Sequence, residues 1–212
     1  MSLAERVGGG FPTGVTASHC VSLGEQAPEV QRRVAGSLAA AGVSVVALPQ
    51  TNLYLQGRGR HGPAPRGITA IGPLRQAGVV VAGGGDNIQD PFNPMGRADP
   101  LETASLLVTA GHRDPLEAFE AVTAASRAVL GLAPHVLAVS QPANLVLVPG
   151  PAPATAMAAA SPQRTVIRDG RIVARTRVTT DFERGRPTDF ERGRPTDRWD
   201  RADINLEQAH HY

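Results

Sequence analysis

The amino-acid sequence predicts an α/β fold, and three observations support this class. Short apolar runs rich in β-branched residues, GVTASH, VSVVAL and VVVAG, begin at residues 14, 43 and 79. A helical pattern joins the first two runs, and a shorter helical pattern precedes the third. Strands that alternate with helices in this way are typical of a parallel sheet.

The segment between the first two strands predicts an amphipathic helix. APEVQRRVAGSLAAAG places one apolar residue on the same stripe at each turn and ends at Gly42, a glycine suited to the position after a helix. The stripe consists of Val30, Val34, Leu38 and Ala41. The first two strands and this helix therefore form a predicted βαβ unit.

A polar loop and a short helix separate the second and third strands. The loop is QGRGRHGPAPRG, and the helix lies within ITAIGPLRQAG, which again ends at a glycine. The α/β alternation therefore continues to the third strand.

Two later helices begin with the same four residues, DPLE, at Asp99 and at Asp114. An aspartate N-cap, a proline at the first helical position and a glutamate two residues later are typical of a helix start. The second helix is predicted from Pro115 to about Leu130. Its sheet-facing side is predicted to carry Phe119, Val122, Ser126 and Val129.

The carboxyl-terminal part changes character. From Ala143 the sequence predicts strands in ANLVLVPG and RTVIRDGRIVAR, where Asp169 and Gly170 form the two-residue turn that hairpins prefer. Beyond it, TDFERGRP occurs twice, from Thr180 and from Thr188. We interpret this repeat as a polar low-complexity tail, the product of duplication or, alternatively, a partner-binding segment.

Composition excludes several functional classes. The single cysteine, Cys20, cannot form an internal disulfide. All 21 basic residues are arginines, yet they are scattered and the formal net charge is only +2, so nucleic-acid binding is not expected. No run of 18 apolar residues and no secretion signal occurs, so we expect a cytoplasmic protein that does not bind a membrane.

Polar residues follow each of the three predicted strands. Ser18, His19 and Cys20 come after the first strand, Gln50 to Asn52 after the second, and Asp86 and Asn87 after the third. The carboxyl ends of parallel strands meet at one edge of the sheet, where α/β proteins place their chemistry. The sequence therefore predicts a functional site at this edge.

The glycine run GGGD does not fit a nucleotide site. Ile88 occupies the position of the third glycine of a dinucleotide motif, and the chain contains no lysine for a phosphate-binding loop. The glycines could instead bring Asp86 close to a ligand or metal, although an aspartate after a strand can also form a turn. For His19, a structural role as a hydrogen-bonded side chain is the alternative to a catalytic one. Cys20 is expected to be a small buried residue rather than a nucleophile.

Several motifs together resemble the carboxyl-terminal half of metal-dependent amidohydrolases, in the cytosine deaminase branch. VTASHC, NLYLQGR, RGIT, GGDNIQDPFNPMG and VTAASRAVLGL followed by ANLVLV occur in the order and at about the spacing of that family, over roughly residues 13–176. The resemblance implies a partial (β/α)8 barrel comprising strands 6 to 8, plus a small β-sandwich element. The implied divisions are 1–136 for the barrel, 137–179 for the sandwich and 180–212 for the tail.

The resemblance also implies a chemistry. A divalent metal, zinc or iron, would be bound by Asp86, which also shuttles a proton from the metal-bound water, while His19 stabilises the attacking hydroxide. The residues implied to bind substrate are Asn87, Asp90, Phe92 and Gln56. The expected reaction is deamination of a small pyrimidine-like nitrogen heterocycle.

The sequence departs from the family pattern at several positions. Asn87 stands where cytosine-specific enzymes usually have aspartate, and Phe92 where they usually have tryptophan, which favours a different ring substrate. The HxH pair and the HxxE motif of the family are missing, and MSLAERVGGG resembles the end of the helix before strand 6. Asp86 and His19 alone cannot complete a zinc or iron site.

We therefore expect the lone chain to bind metal weakly and not to deaminate cytosine, unless a companion segment supplies barrel strands 1 to 5. A non-catalytic remnant or binding module that pairs with itself or with a partner chain is the alternative. A flavodoxin-like nucleotide binder is a third reading, which leaves DNIQDPF unexplained.

Overall fold

The structure is a computed structural model that describes residues 14–62 and 64–180. It divides into two compact units, Met1–Arg177 and Val178–Tyr212. The predicted tail after residue 180 and the predicted helix end at residues 1–10 lie outside the described residues. The boundary predicted at residues 136 and 137 stays a prediction.

A parallel three-stranded sheet forms one layer of the fold. Its strands β1 (Val15–Ser18), β2 (Val43–Ala47) and β3 (Val81–Gly83) lie in the order β1-β2-β3. Val15 pairs with Val43, and Val45 pairs with Val81. All three predicted strands are thus confirmed, although β3 begins two residues late because Val79 N still bonds to Leu74 O of the preceding helix.

Helices α1 (Val21–Gly24) and α2 (Pro28–Ala40) connect β1 to β2. The long helix α2 confirms the predicted βαβ unit, and Gly42 follows its end with a φ of 64°. The short helix α1 is not signalled in the sequence.

Two further helices lie between β2 and β3, where the sequence predicts one. Helix α3 (Pro49–Leu55) starts at a proline directly after β2, in a stretch interpreted above only as a polar strand end. The predicted helix α4 (Ile71–Gln76) begins later than its motif because Ile68 and Thr69 stay non-helical.

Both DPLE motifs start helices as predicted. Asp99 accepts a hydrogen bond from Leu101 N at the start of α5 (Pro100–Thr109), and Asp114 accepts one from Leu116 N at the start of α6 (Pro115–Ala121). These side-chain caps satisfy amides that a helix start leaves unpaired.

The prediction of a single helix from Pro115 to Leu130 is wrong. The chain forms α6 and then α7 (Ala124–Val129), with a break at Thr123. Thr123 Oγ1 donates to Phe119 O at 2.8 Å, and Ser126 Oγ donates to Ala121 O at the same distance. Hydroxyls that occupy carbonyls in this way compete with helical hydrogen bonds and bend helices.

The main core lies between the parallel sheet and helices α2, α4, α5 and α6. Its most buried large side chains include Val45, Leu74 and Leu107. Helix α6 contributes the small residues Ala118 and Ala121 to this core, and Val122 of the predicted face packs against the core while partly buried.

The carboxyl-terminal strands form a second, antiparallel sheet. Strands β4 (Leu145–Leu147), β5 (Arg164–Arg168) and β6 (Arg171–Thr176) lie in that order, with helix α8 (Pro153–Ala159) between β4 and β5. Asp169 and Gly170 both have positive φ angles, 48° and 75°, which confirms the predicted hairpin turn.

One ion pair connects this second sheet to α5. The Arg164 guanidinium donates to both carboxylate oxygens of Asp99, at 3.0 and 2.7 Å, and both side chains are only 22% exposed. The same carboxylate caps α5, so Asp99 stabilises the helix and the sheet contact together. None of the described helices has the length and apolar character needed to cross a membrane.

The two DPLE caps allow a matched test of this double role. Asp114→Ala should lower the free energy of unfolding by about 1 kcal/mol because it removes a cap. Asp99→Ala should lower it by about 2 to 3 kcal/mol because Arg164 also loses its partner. Urea unfolding measures both values. In an Arg164→Met background the two costs should become equal, and equal costs in the natural sequence would contradict the double role.

Candidate active site

The three strand ends of the parallel sheet meet as predicted. His19 follows β1, Asn52 lies on α3 after β2, and Asp86 follows β3. His19 Nε2 lies 3.6 Å from Asp86 Oδ2, and His19 Nδ1 lies 2.8 Å from Asn52 Oδ1. The side chains of His19 and Asp86 are 41% and 29% exposed, so solvent and small solutes can reach the pair.

Both His19 and Asp86 have left-handed backbone conformations, with φ angles of 64° and 57°. Such conformations are uncommon for residues other than glycine and persist where surrounding contacts enforce them. For His19 those contacts are visible: its amide donates to Val46 O at 3.0 Å, and its carbonyl accepts from Thr69 Oγ1 at 2.5 Å. The turn after β1 therefore holds the imidazole at the sheet edge.

The imidazole and the carboxylate form a pair that can exchange protons with a water molecule or a substrate. Among the residues that the structure describes, no group of three His, Cys, Asp or Glu side chains could hold a metal ion. A catalytic zinc ion needs three protein ligands besides its water. His19 and Asp86 therefore do not fit a complete metal site by themselves.

The loop after Asp86 is tied together by its own polar groups. Asn87 Oδ1 accepts from Thr51 Oγ1 at 3.2 Å, and Asn87 Nδ2 donates to Asp90 Oδ2 at 2.5 Å. Asp90 Oδ1 accepts from the amides of Phe92 and Asn93 at 2.9 and 3.0 Å. The polar groups of Asn87 and Asp90 thus make contacts within the protein, and their substrate-binding roles stay predictions.

The donors around Asp90 affect its ionisation. The hydrogen bond from Asn87, followed by those from the backbone amides, holds the pKa of the Asp90 carboxyl below its ordinary value. The loop is therefore organised around an ionised carboxylate.

The remaining predicted site residues are Phe92 and Gln56. The Phe92 side chain is exposed. Gln56 ends α3, its amide donates to Asn52 O, and its side chain lies against Gly67. Within the described part of the chain, no hydrogen bond or ion pair joins Gln56 to His19 or Asp86. Cys20 is half-buried, and burial raises the pKa of its thiol, which disfavours a nucleophile there.

Two contributors were not assigned a role from the sequence. The sequence places Asn52 among the polar residues that follow the predicted strands, and this position is the only feature that points to a role in the site. Thr69 gave no signal, because it lies 50 residues from the carbonyl that it binds.

A cavity of about 350 Å³ opens beside Asp86. The glycine run, Ile88, Thr103 and Ser126 contribute to its walls. Its position between the site and the start of α5 makes it a space that a small substrate could enter.

Comparison with known proteins identifies the family of this chain. The model of the Amidohydrolase family matches residues 4–174. The chain belongs to the amidohydrolase family. The resemblance predicted from the motifs is thereby confirmed.

Similar proteins include several deaminases. Pterin deaminase from Rhizobium rhizogenes is 39% identical over 173 residues, which are 79% of this chain and 39% of that protein. The structure of 5-methylcytosine deaminase from Klebsiella pneumoniae, liganded with 5-fluorocytosine, has a TM-score of 0.74 and 28% identity, over 85% of this chain and 45% of that one.

A third relative is the N-isopropylammelide isopropylaminohydrolase of Burkholderia multivorans. Its structure has a TM-score of 0.65 and 30% identity, over 82% of this chain and 42% of that one. This amidohydrolase chain therefore spans less than half the length of each of these three relatives.

Two glycines in the glycine run of this amidohydrolase chain, Gly83 and Gly84, have a packing role. A Cβ on Gly83 would lie 2.9 Å from Leu107 Cδ1 and 3.1 Å from Val122 Cγ1, and one on Gly84 would lie 3.0 Å from Leu48 Cδ2. A Cβ on Gly85 would meet nothing within 4 Å. Helices α5 to α7 thus pack close to the end of β3 because Gly83 has no side chain.

This difference within the run can be tested by matched substitutions. Gly83→Ala should lower the free energy of unfolding by about 1 to 3 kcal/mol because the new methyl group overpacks a buried contact. Gly85→Ala should change it by no more than about 0.5 kcal/mol. Urea unfolding distinguishes the two, and a similar loss for both variants would contradict the packing role.

The Asp90 carboxylate should make the loop sensitive to acid. Its folded-state pKa lies below the unfolded value of about 3.9, so the ionised form stabilises the loop fully above that value. This contribution is lost as the pH falls through the folded-state pKa. A carboxyl-carbon NMR titration should show a depressed pKa, and Asn87→Ala should raise it.

Thr51→Val is the control for this titration. It removes the donor to the other end of the Asn87 amide and leaves Asn87 Nδ2 beside Asp90. The pKa of Asp90 should therefore change less in Thr51→Val than in Asn87→Ala. An Asp90 pKa at or above its ordinary value in the natural chain would refute the network.

Proposed function

We propose that this chain carries the His19 and Asp86 part of the active site of a hydrolytic deaminase that acts on a small nitrogen heterocycle. The observation that carries the proposal is the convergence of the two side chains to 3.6 Å at the carboxyl edge of the parallel sheet. The deaminases among its relatives act on a pterin and on a methylated pyrimidine, so an aminated pyrimidine or pterin ring is the proposed substrate class.

The proposed chemistry replaces a ring amino group by the oxygen of a water molecule. Water adds to the ring carbon that carries the amino group, and the carbon–nitrogen bond then breaks to release ammonia. Asp86 takes the proton from the attacking water and returns it to the leaving nitrogen, while His19 stabilises the attacking oxygen. Asn87, Asp90, Phe92 and Gln56 are the residues that we propose to border the substrate.

Deaminases of this family generally use a divalent metal ion such as zinc. Asp86 is the residue of this chain that we propose as a ligand, with His19 beside it. Because two side chains fall short of a catalytic site, the other ligands have to come from outside the described residues.

In the proposed assembly β1, β2 and β3 take the places of barrel strands 6 to 8, and β4 to β6 belong to the sandwich element. The parallel order β1-β2-β3 supports this placement. A companion segment would then supply strands 1 to 5. The alternative is a non-catalytic remnant or binding module that pairs with itself or with a partner chain. We propose a cytoplasmic location.

The experiment compares the lone chain with a complemented one. The chain is purified alone and together with the portion of the Rhizobium rhizogenes pterin deaminase that lies outside the match. Bound zinc and iron are measured by mass spectrometry, and ammonia release is measured from pterin, cytosine and 5-methylcytosine. The lone chain should hold little metal and release no ammonia, whereas the complemented chain should bind metal stoichiometrically and release ammonia.

Variants test whether the named pair is responsible. In the complemented chain, Asp86→Asn and His19→Gln should each lower the rate on the order of 10²- to 10⁴-fold. His61→Gln and Asp169→Asn, at exposed positions away from the pair, are the matched controls and should keep the rate. A complex that forms without metal or ammonia release would favour the binding-module alternative, and a lone chain that deaminates would refute the need for a companion.

A further inference from the structure

A buried amide lies behind the imidazole of His19. Asn52 is only 5% exposed, and its Oδ1 is 2.8 Å from His19 Nδ1. Asn52 Nδ2 is also buried and has no hydrogen-bond partner among the described residues. Buried polar atoms without a partner are uncommon, so an amide that keeps its contact with His19 while its Nδ2 is unpaired calls for an explanation.

Helix α3 holds this amide in place. Asn52 N donates to Leu48 O at 3.1 Å, and Asn52 O accepts from Gln56 N at 2.9 Å. Two residues earlier, Gln50 Nε2 donates to Thr103 Oγ1 at 2.7 Å, which attaches the start of α3 to α5. The Asn52 side chain therefore meets His19 from a helix that is fixed at several points.

We propose that Asn52 is a positioning residue, which keeps the proton of the neutral His19 ring on Nδ1 and leaves the lone pair of Nε2 facing Asp86. This inference rests on the proposed function, because it specifies the state in which His19 works: Nε2 stabilises the attacking oxygen by accepting a hydrogen bond from its O–H. It names a residue and a tautomer that neither the motifs nor the pair geometry assign.

The tautomer follows from the chemistry of the contact. An amide oxygen accepts hydrogen bonds and donates none, so with Asn52 Oδ1 on this side of the amide the ring nitrogen 2.8 Å from it carries the hydrogen. A neutral imidazole has a single N–H, so Nε2 then has a lone pair. Nε2 and Asp86 Oδ2 are 3.6 Å apart, beyond the usual range of a direct hydrogen bond.

In this tautomer two acceptors, His19 Nε2 and Asp86 Oδ2, face each other across 3.6 Å. A lone pair and a carboxylate oxygen at this separation attract a proton or a cation between them. The contact with Asn52 therefore decides which ring nitrogen faces this space with a free lone pair.

The opposite arrangement is sterically equivalent and predicts a different proton position. With the amide turned over, Asn52 Nδ2 would donate to Nδ1, and the ring hydrogen would lie on Nε2. Free histidine in water favours this Nε2–H form, and the charge of Asp86 would favour it further. Finding the hydrogen on Nδ1 would thus require a specific acceptor such as Asn52 Oδ1.

Nitrogen-15 NMR of the full chain reads the tautomer directly. The spectrum is recorded at alkaline pH, and the tautomer is read where one ring nitrogen gives a protonated-type signal and the other an unprotonated-type signal. The His19 signals are those lost in His19→Gln. In the natural chain most of the population should have Nδ1 of the protonated type and Nε2 of the unprotonated type.

Three variants complete the test. Asn52→Leu keeps the size of the side chain but removes the acceptor, so the majority tautomer should switch to Nε2–H. Asn52→Asp keeps an acceptor oxygen and should retain Nδ1–H. Asn144→Leu makes the same change just before β4, where Asn144 Oδ1 accepts from Asp169 N of the β5–β6 hairpin, and should leave His19 unchanged.

The outcomes separate this inference from the proposed function. A natural chain with mostly Nε2–H, or a folded Asn52→Leu variant with the natural pattern, would overturn the positioning role whatever the activity. Backbone amide spectra establish that each variant is folded, and Asn52→Asp provides the reading if Asn52→Leu does not fold. Ammonia release by the complemented chain tests the proposed function alone, since it does not report the tautomer.

Discussion

The parallel pairing of β1, β2 and β3 is the constraint on which the candidate site depends. Because all three strands run the same way in chain order, their carboxyl ends emerge at one edge, and residues more than 30 positions apart become neighbours. At this edge the His19 imidazole after β1 contacts both the Asn52 amide after β2 and the Asp86 carboxylate after β3. The site is thus a consequence of strand order rather than of any local motif.

The turns that follow these strands add a second constraint. His19 and Asp86 both adopt left-handed conformations that cost free energy in residues with a side chain. At His19 the cost is offset by hydrogen bonds from two later parts of the chain, since Val46 accepts from its amide and Thr69 donates to its carbonyl. A strained strand end held by distant residues, as at His19, is what a preorganised site requires.

Features set by local chemistry were predictable from the sequence, and features set by distant contacts were not. The β-branched runs, the Asp99 and Asp114 caps and the Asp169–Gly170 turn depend on neighbouring residues, and all of them occur. Helix α3 was not predicted because its polar residues Gln50 and Asn52 do not fit an amphipathic surface helix. Both bond to partners inside the protein, and these lie 53 and 33 residues away in the sequence. The meeting of His19 with Asp86 was expected from strand order, but their support by Asn52 and Thr69 needed coordinates.

Packing on the far side of β3 also contributes to the site. Gly83 ends the strand, and its missing side chain lets Leu107 and Val122 approach the backbone three residues before Asp86. Ser126 Oγ reaches Gly83 O at 3.4 Å from the same side. The glycine run therefore places the carboxylate by anchoring the strand end to α5 and α7, while the unhindered Gly85 completes the turn. The packing contact at Gly83 and the Asp86 carboxylate thus lie in one short segment. A substitution that loosens the packing at Gly83 should therefore displace the Asp86 carboxylate.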